Sequence, residues 1–109
     1  MYKLRVSDHL AACIRGLQPE LKRKIKGSLK SIVIDPNAGK PLKDELEGLR
    51  SLRVSRFRII YRMGTRKEIQ IIAIGPRERI YEETYRLIRK ENQGRKEIGR
   101  NSKREENIE

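Results

Sequence analysis

The chain has 109 residues, a length that suits one hydrophobic core, with 36% hydrophobic and 39% charged residues. Lys and Arg total 27 against 15 acidic residues, giving +12 and a pI near 10.3, so the expected partner is a polyanion and nucleic acid leads. No run nears the roughly 18 apolar residues a membrane span needs, and the N-terminus lacks a signal-peptide apolar region, so cytoplasmic residence is the expectation.

In chain order, "YKLRV" (2–6) alternates apolar and basic residues and reads as a short strand. Ser7 and Asp8 offer an N-cap for a helix over 8–15. Within it Cys13, the chain's one cysteine, has apolar neighbours and is expected to pack in the core. His9 is the single histidine and reads as a surface or capping residue, because a metal site or a Ser/His/Asp triad would need partners that no motif supplies. After Gly16, Pro19 opens a second helix in which Leu21, Ile25, Leu29 and Ile32 recur at spacings of four, four and three, beneath a lysine-rich outer face. Pro36 ends it, and "DPNAGKPLKDELEG" reads as a loop crossing back over the domain.

Three strands follow. Leu52 and Val54 are apolar at even positions, whereas Phe57, Ile59, Tyr61 and Met63 are apolar at odd ones. A two-residue hairpin loop at Ser55 and Arg56 accounts for the change of parity, pairing Val54 with Phe57 and Leu52 with Ile59 on one face and Arg53 with Arg58 on the other. "GTRK" makes the next turn, and the strand at 68–75 is apolar enough to be covered on both faces. Helical spacing resumes through Ile80, Thr84, Leu87 and Ile88 over about 78–91. Residues 92–109 mix both charges with almost no apolar content, which divides the chain into a domain at 1–91 and a charged, flexible tail at 92–109. The expected architecture is α+β: an antiparallel sheet of about four strands, a helical hairpin packed on one face, and a C-terminal helix.

Facing arginines destabilise a strand pair by roughly 0.2–1 kcal/mol and call for an anion. Guanidinium groups bind phosphate oxygens bidentately and stay protonated. "GPRERIYEETY" adds Arg77 and Arg79 at a strand-to-helix junction near Tyr81 and Tyr85, where backbone amides also favour anions. Helical periodicity makes either tyrosine a core candidate, Tyr85 the stronger. Cleavage within RNA needs a deprotonated 2′-hydroxyl, a stabilised phosphorane and a protonated 5′-oxygen; arginines serve the second need and a tyrosine can exchange protons. The general base has no evident candidate.

The strings "LEGLRSLRVSRFRIIYRM" and "IQIIAIGPRERIYEETYRLI", in that order behind a basic helical hairpin, resemble the RelE/ParE toxin superfamily over residues 3–90. The resemblance implies a microbial RNase-like fold without cofactor, and a toxin of a type II toxin-antitoxin system. In the RelE branch it implies a ribosome-dependent, metal-independent endoribonuclease that cuts mRNA in the A site by 2′-hydroxyl attack and is held inactive by a cognate antitoxin. It assigns Arg58 to the phosphate, matches a second arginine to Arg77 and one earlier in the hairpin to Arg53, and matches the acid or base tyrosine best to Tyr81, with Tyr85 as its rival. Arg50, Arg53, Arg56, Arg79 and Tyr85 are the expected RNA contacts beside this catalytic set. Where RelE-type enzymes carry lysines, this chain has Leu49, Arg50, Ser51 and Leu52, leaving Arg50 as an electrostatic substitute. The ParE branch, associated with DNA gyrase inhibition, and a non-catalytic nucleic-acid-binding module are the alternatives.

Overall fold

The computed structural model describes residues 2–101, with side chains described for 2–92. Strand β1 (Lys3–Arg5) leads into helix α1 (Asp8–Arg15), whose N-cap Ser7 accepts from the Leu10 amide through its hydroxyl at 3.1 Å. Helix α2 (Pro19–Ile34) starts on Pro19, as a first-turn proline favours, and buries Ile25, Leu29 and Ile32. The segment expected as plain loop contains two single turns of 3₁₀ helix, at Pro36–Ala38 and Asp44–Leu46, and between them a two-residue strand β2 (Lys40–Pro41). Strands β3 (Leu49–Val54), β4 (Phe57–Met63) and β5 (Glu68–Pro76) follow, and helix α3 runs over Arg77–Asn101.

The sheet has five strands in the order β1-β5-β4-β3-β2, one more than expected because β2 adds an edge. β1 joins β5 in parallel, with Lys3 opposite Glu68, and every other pairing is antiparallel. The β3–β4 hairpin has the register that the parity change required: Val54 faces Phe57, Leu52 faces Ile59 and Arg53 faces Arg58. Its turn places Ser55 at φ 59° while Arg56 stays outside the left-handed region, the II′ pattern that matches strand twist. For a residue with a Cβ that conformation costs on the order of 1 kcal/mol.

Two cores lie on opposite faces of the sheet. On one, Leu10, Ile14, Ile25, Leu29 and Ile32 of the helical hairpin meet Val54, Ile59, Tyr61, Ile69 and Ile71. On the other, Ile80 of α3 meets Leu49, Ile60 and Ala73, with Tyr81 and Ile88 packed against them. A register shift between Ile60 and Tyr61 skips Ile72 of β5, so Ile71 and Ala73 serve opposite faces despite being two residues apart. The two-sided burial expected of the strand at 68–75 follows. Helix α3 therefore shares the face that carries the arginines, which the helical hairpin leaves uncovered.

Cys13 is exposed, contrary to the core expectation. The buried stripe of α1 runs through Leu10 and Ile14, and Cys13 lies off it, its sulfur 3.8 Å from Nε2 of the exposed His9 one turn earlier. The division placed between residues 91 and 92 falls inside α3; the side chains of 93–101 and all of 102–109 lie outside the described residues. Among the described residues no helix is long and apolar enough to cross a membrane.

Candidate functional site

Residues paired across antiparallel strands point to the same face, so the register fixes which side chains meet. On the α3 side of the sheet, one row reads Lys40, Ser51, Ile60 and Ala73, and the next reads Arg53, Arg58 and Gly75. Ile60 and Ala73 are covered by α3, whereas the β2–β3 end of both rows stays open. There a groove of about 460 Å³ is lined by Lys40, Ser51, Arg53, Arg58 and Tyr81, with Ala38, Pro41, Leu42 and Leu52 as its apolar wall.

Three cations line this groove and, among the described residues, no carboxylate lines it; Glu83 Oε1 stands at the Gly75 end of the arginine row, 3.7 Å from where a Cβ on Gly75 would lie. Arg58 is half-buried, and its Nε is enclosed without finding an acceptor among the described residues. A buried guanidinium donor left unpaired beside a second arginine is expensive, and an oxyanion in the groove would satisfy both demands. The hydroxyls of Tyr81 and Ser51 lie 3.0 Å apart, a hydrogen bond that ties the half-buried phenol to the buried serine on the groove floor. Tyr81 thus presents its oxygen to the groove that the arginine pair lines, with Ser51 as a hydrogen-bond neighbour.

Arg77 is the first residue of α3, exposed, one helical turn before Tyr81 and so on the same helix face. Its backbone N–H donates to the Arg56 carbonyl at 3.0 Å, fastening the start of α3 to the β3–β4 turn beside Arg58. Arg53, Arg58 and Tyr81 are therefore brought together in one groove, and Arg77 does not line it. The remaining candidates lie elsewhere. Arg56, in the turn, borders a separate recess with Gln18, Glu20 and Lys24 of the α2 start. Arg79 is exposed and two residues from both Arg77 and Tyr81, hence on the far side of the helix. Tyr85 is half-buried outside the groove, with the Arg89 guanidinium 5.7 Å from its ring centroid. It is Tyr81, not Tyr85, that packs against the second core, at the point along α3 where its hydroxyl meets Ser51 of β3.

Arg50 points to the opposite face. It pairs with Tyr61, and its Nη1 donates to the carbonyls of Gly39 at 2.6 Å and Asn37 at 3.5 Å. Gly39 is bound from its other side as well, since its N–H donates to the Tyr61 hydroxyl at 2.8 Å, which in turn donates to the Pro36 carbonyl at 2.7 Å. A Cβ on Gly39 would come within 2.7 Å of the Tyr61 oxygen, so only glycine fits. Burial raises the Tyr61 phenol above its usual pKa, the Gly39 amide and the Arg50 charge pull it partly back, and Asp35 adds a smaller upward push. The phenol stays protonated and acts as a structural clasp.

Two groove residues, Lys40 and Ser51, escape a reading by motif. Ser51 was visible as an odd-numbered strand position sharing parity with Arg53, whereas Lys40 sits in a two-residue strand with no periodicity to reveal it. No group of three or more His, Cys, Asp or Glu side chains among the described residues could hold a metal ion.

The model of the family described as ParE toxin of type II toxin-antitoxin system, parDE, matches residues 1–81. No curated protein matches the chain. Among solved structures, a mutant of the E. coli toxin RelE in the free state superposes with a TM-score of 0.63 at 22% identity, covering 83% of this chain and 96% of that one. The Mycobacterium tuberculosis toxin-antitoxin complex RelBE2 gives 0.60 at 24% identity, covering 70% and 98%. The archaeal RelE-RelB complex from Pyrococcus horikoshii gives 0.59 at 21% identity, covering 72% and 97%. At these identities the likeness is one of fold.

Proposed function

The chain belongs to the ParE toxin family of type II toxin-antitoxin systems, within the RelE/ParE superfamily, and from that premise we propose that it is a ribosome-dependent endoribonuclease acting in the cytoplasm. Its substrate is mRNA in the A site. One observation carries the reading: a groove lined by no carboxylate among the described residues holds Arg53, Arg58 and the Tyr81 hydroxyl together, with the Arg58 Nε buried and unpaired. An unpaired guanidinium donor beside a second arginine calls for an oxyanion, and an RNA phosphate supplies one.

In the proposed reaction the 2′-oxygen bonds to phosphorus as its proton passes to water, the P–O5′ bond breaks to leave a 2′,3′-cyclic phosphate, and the departing 5′-oxygen takes up a proton. Arg58 and Arg53 hold the non-bridging oxygens as charge gathers on them. Arg77, one turn before Tyr81, completes the cationic rim, and Tyr81 exchanges a proton with a reacting oxygen while Ser51 keeps its hydroxyl oriented. Because the solved relatives include RelE-RelB complexes, the partner that silences this chain is taken to be a cognate antitoxin covering the groove.

The test is cleavage of ribosome-bound mRNA by the wild type beside Arg58→Ala and Arg77→Ala. A cut at the decoding codon that each variant slows by about 10² or more supports the reading. Intact mRNA with the wild-type protein rejects it. The family model's ParE description favours a second reading, inhibition of DNA gyrase. Supercoiling that falls with added protein while mRNA stays whole would select it.

A further inference from the structure

The edge strand β2 has no assigned purpose, yet more of the structure is spent on fixing it than its two residues would suggest. Lys40 pairs with Ser51, so its side chain shares the groove face, and Arg53 is its diagonal neighbour on that face. The residue before it, Gly39, is buried, with its N–H given to Tyr61 and its carbonyl held by Arg50. Both of those bonds come from the opposite face of the sheet. They do nothing for the groove except set where Lys40 stands. The following residue, Pro41, adds a fixed φ. These constraints fix the backbone from which Lys40 projects, so the root of its side chain is set on the groove face beside Arg53, in a groove that Arg58 and Tyr81 also line.

We propose that Lys40 is a further substrate-contacting residue, the third cation on the phosphate gripped by Arg53 and Arg58, and that Tyr61 and Arg50 are positioning residues that act on it through Gly39. The proposal deepens the nuclease reading and rests on it only for the fate of the phosphate, not for its binding. As an ammonium on a non-bridging oxygen, Lys40 acts by charge and takes no part in proton transfer.

Two measurements test this. Affinity is measured for a single-stranded RNA oligonucleotide carrying one 2′-deoxy residue at the cut position, across a range of salt. Cleavage is measured on ribosome-bound mRNA. Lys40 is exposed, so Lys40→Gln leaves the core intact. It is expected to weaken oligonucleotide binding about tenfold and to reduce the slope of log affinity against log salt by about 0.7, the share of one phosphate contact on a single strand. Lys40→Arg retains both, and retains cleavage within a few-fold. Unchanged affinity and slope in Lys40→Gln would overturn the assignment, and a Lys40→Arg variant as poor as Lys40→Gln would overturn the claim that charge alone matters. If the wild type binds with this dependence but cuts no mRNA, the nuclease reading fails and the Lys40 contact stands. The positioning claim has its own test: Tyr61→Phe should weaken oligonucleotide binding in the wild-type background and not in Lys40→Gln. Additive losses would refute it. Should Tyr61→Phe not fold, Arg50→Met severs the other bond to Gly39 and is read in the same way.

Discussion

Replacing Arg58 by methionine should make the protein more stable while disabling it. Methionine keeps most of the side-chain volume against β5 and removes the charge. The change relieves the repulsion with Arg53 directly opposite, roughly 0.2–1 kcal/mol for like charges across a strand pair. It also removes the enclosed Nε donor, whose burial without an acceptor costs about 1–3 kcal/mol. Some guanidinium packing is lost in exchange, so the net gain is taken as about 1–2 kcal/mol, which for a domain of this size raises Tm by about 4–16 °C. Thermal unfolding followed by circular dichroism reads the shift directly. Arg53→Met, at an exposed position, ends the same repulsion without touching a buried donor and should raise Tm by less. Cleavage should fall by about 10²–10³ in Arg58→Met, the usual loss for one donor at a developing oxyanion. Inorganic phosphate should raise the Tm of the wild type more than that of the variant. An Arg58→Met protein with the Tm of the wild type or below would show that the guanidinium is already satisfied, and the case for an anion site would go with it.

Tyr61→Phe deprives the buried Gly39 amide of its acceptor and should cost about 1–3 kcal/mol at pH 8 in urea denaturation. Because the folded phenol titrates above its ordinary value near 10, its stabilising effect is complete below that value and is lost as pH rises through the folded pKa. The gap between wild type and Tyr61→Phe should therefore narrow towards pH 11, and a gap that stays constant would contradict the raised pKa. Glu91→Gln breaks a two-armed contact to Arg62, at 2.9 and 3.3 Å, that joins α3 to β4. Both partners are about a third exposed, so the loss should be only about 0.5–1 kcal/mol and should shrink in 1 M salt. Faster amide exchange in the second half of α3 at low salt would report it, and equal exchange at low and high salt would count against an electrostatic latch.

The hairpin and its arginine pair were legible because strand parity is a strict rule: once Leu52, Val54, Phe57 and Ile59 must share a core face, Arg53 and Arg58 have nowhere else to go. The same rule held information about Arg50 that a search for catalytic cations passed over. Arg50 has the parity of Leu52, which places it behind the sheet and away from the groove. Lys40 was hidden for the opposite reason, since two residues among prolines and glycines carry no period and only the pairing with Ser51 assigns them a face. The fifth strand was missed with it. Cys13 misled because an eight-residue helix has room for a narrow stripe only, and apolar neighbours in sequence are not neighbours on a helix. Tyr81 and Tyr85 are one turn apart on one side of α3, so periodicity could not choose between them; their distance along the helix does, since only Tyr81 stands over Ser51 and the second core.

The parallel seat of β1 beside β5 has a consequence for how this protein comes into being. Lys3 cannot find Glu68 until most of the chain has been synthesised, so the first strand to be made is among the last to be placed. The groove is equally late, needing Lys40, Arg58 and Tyr81 at once. A chain still being extended therefore holds Arg53 and Arg58 before it can hold the pocket that they line.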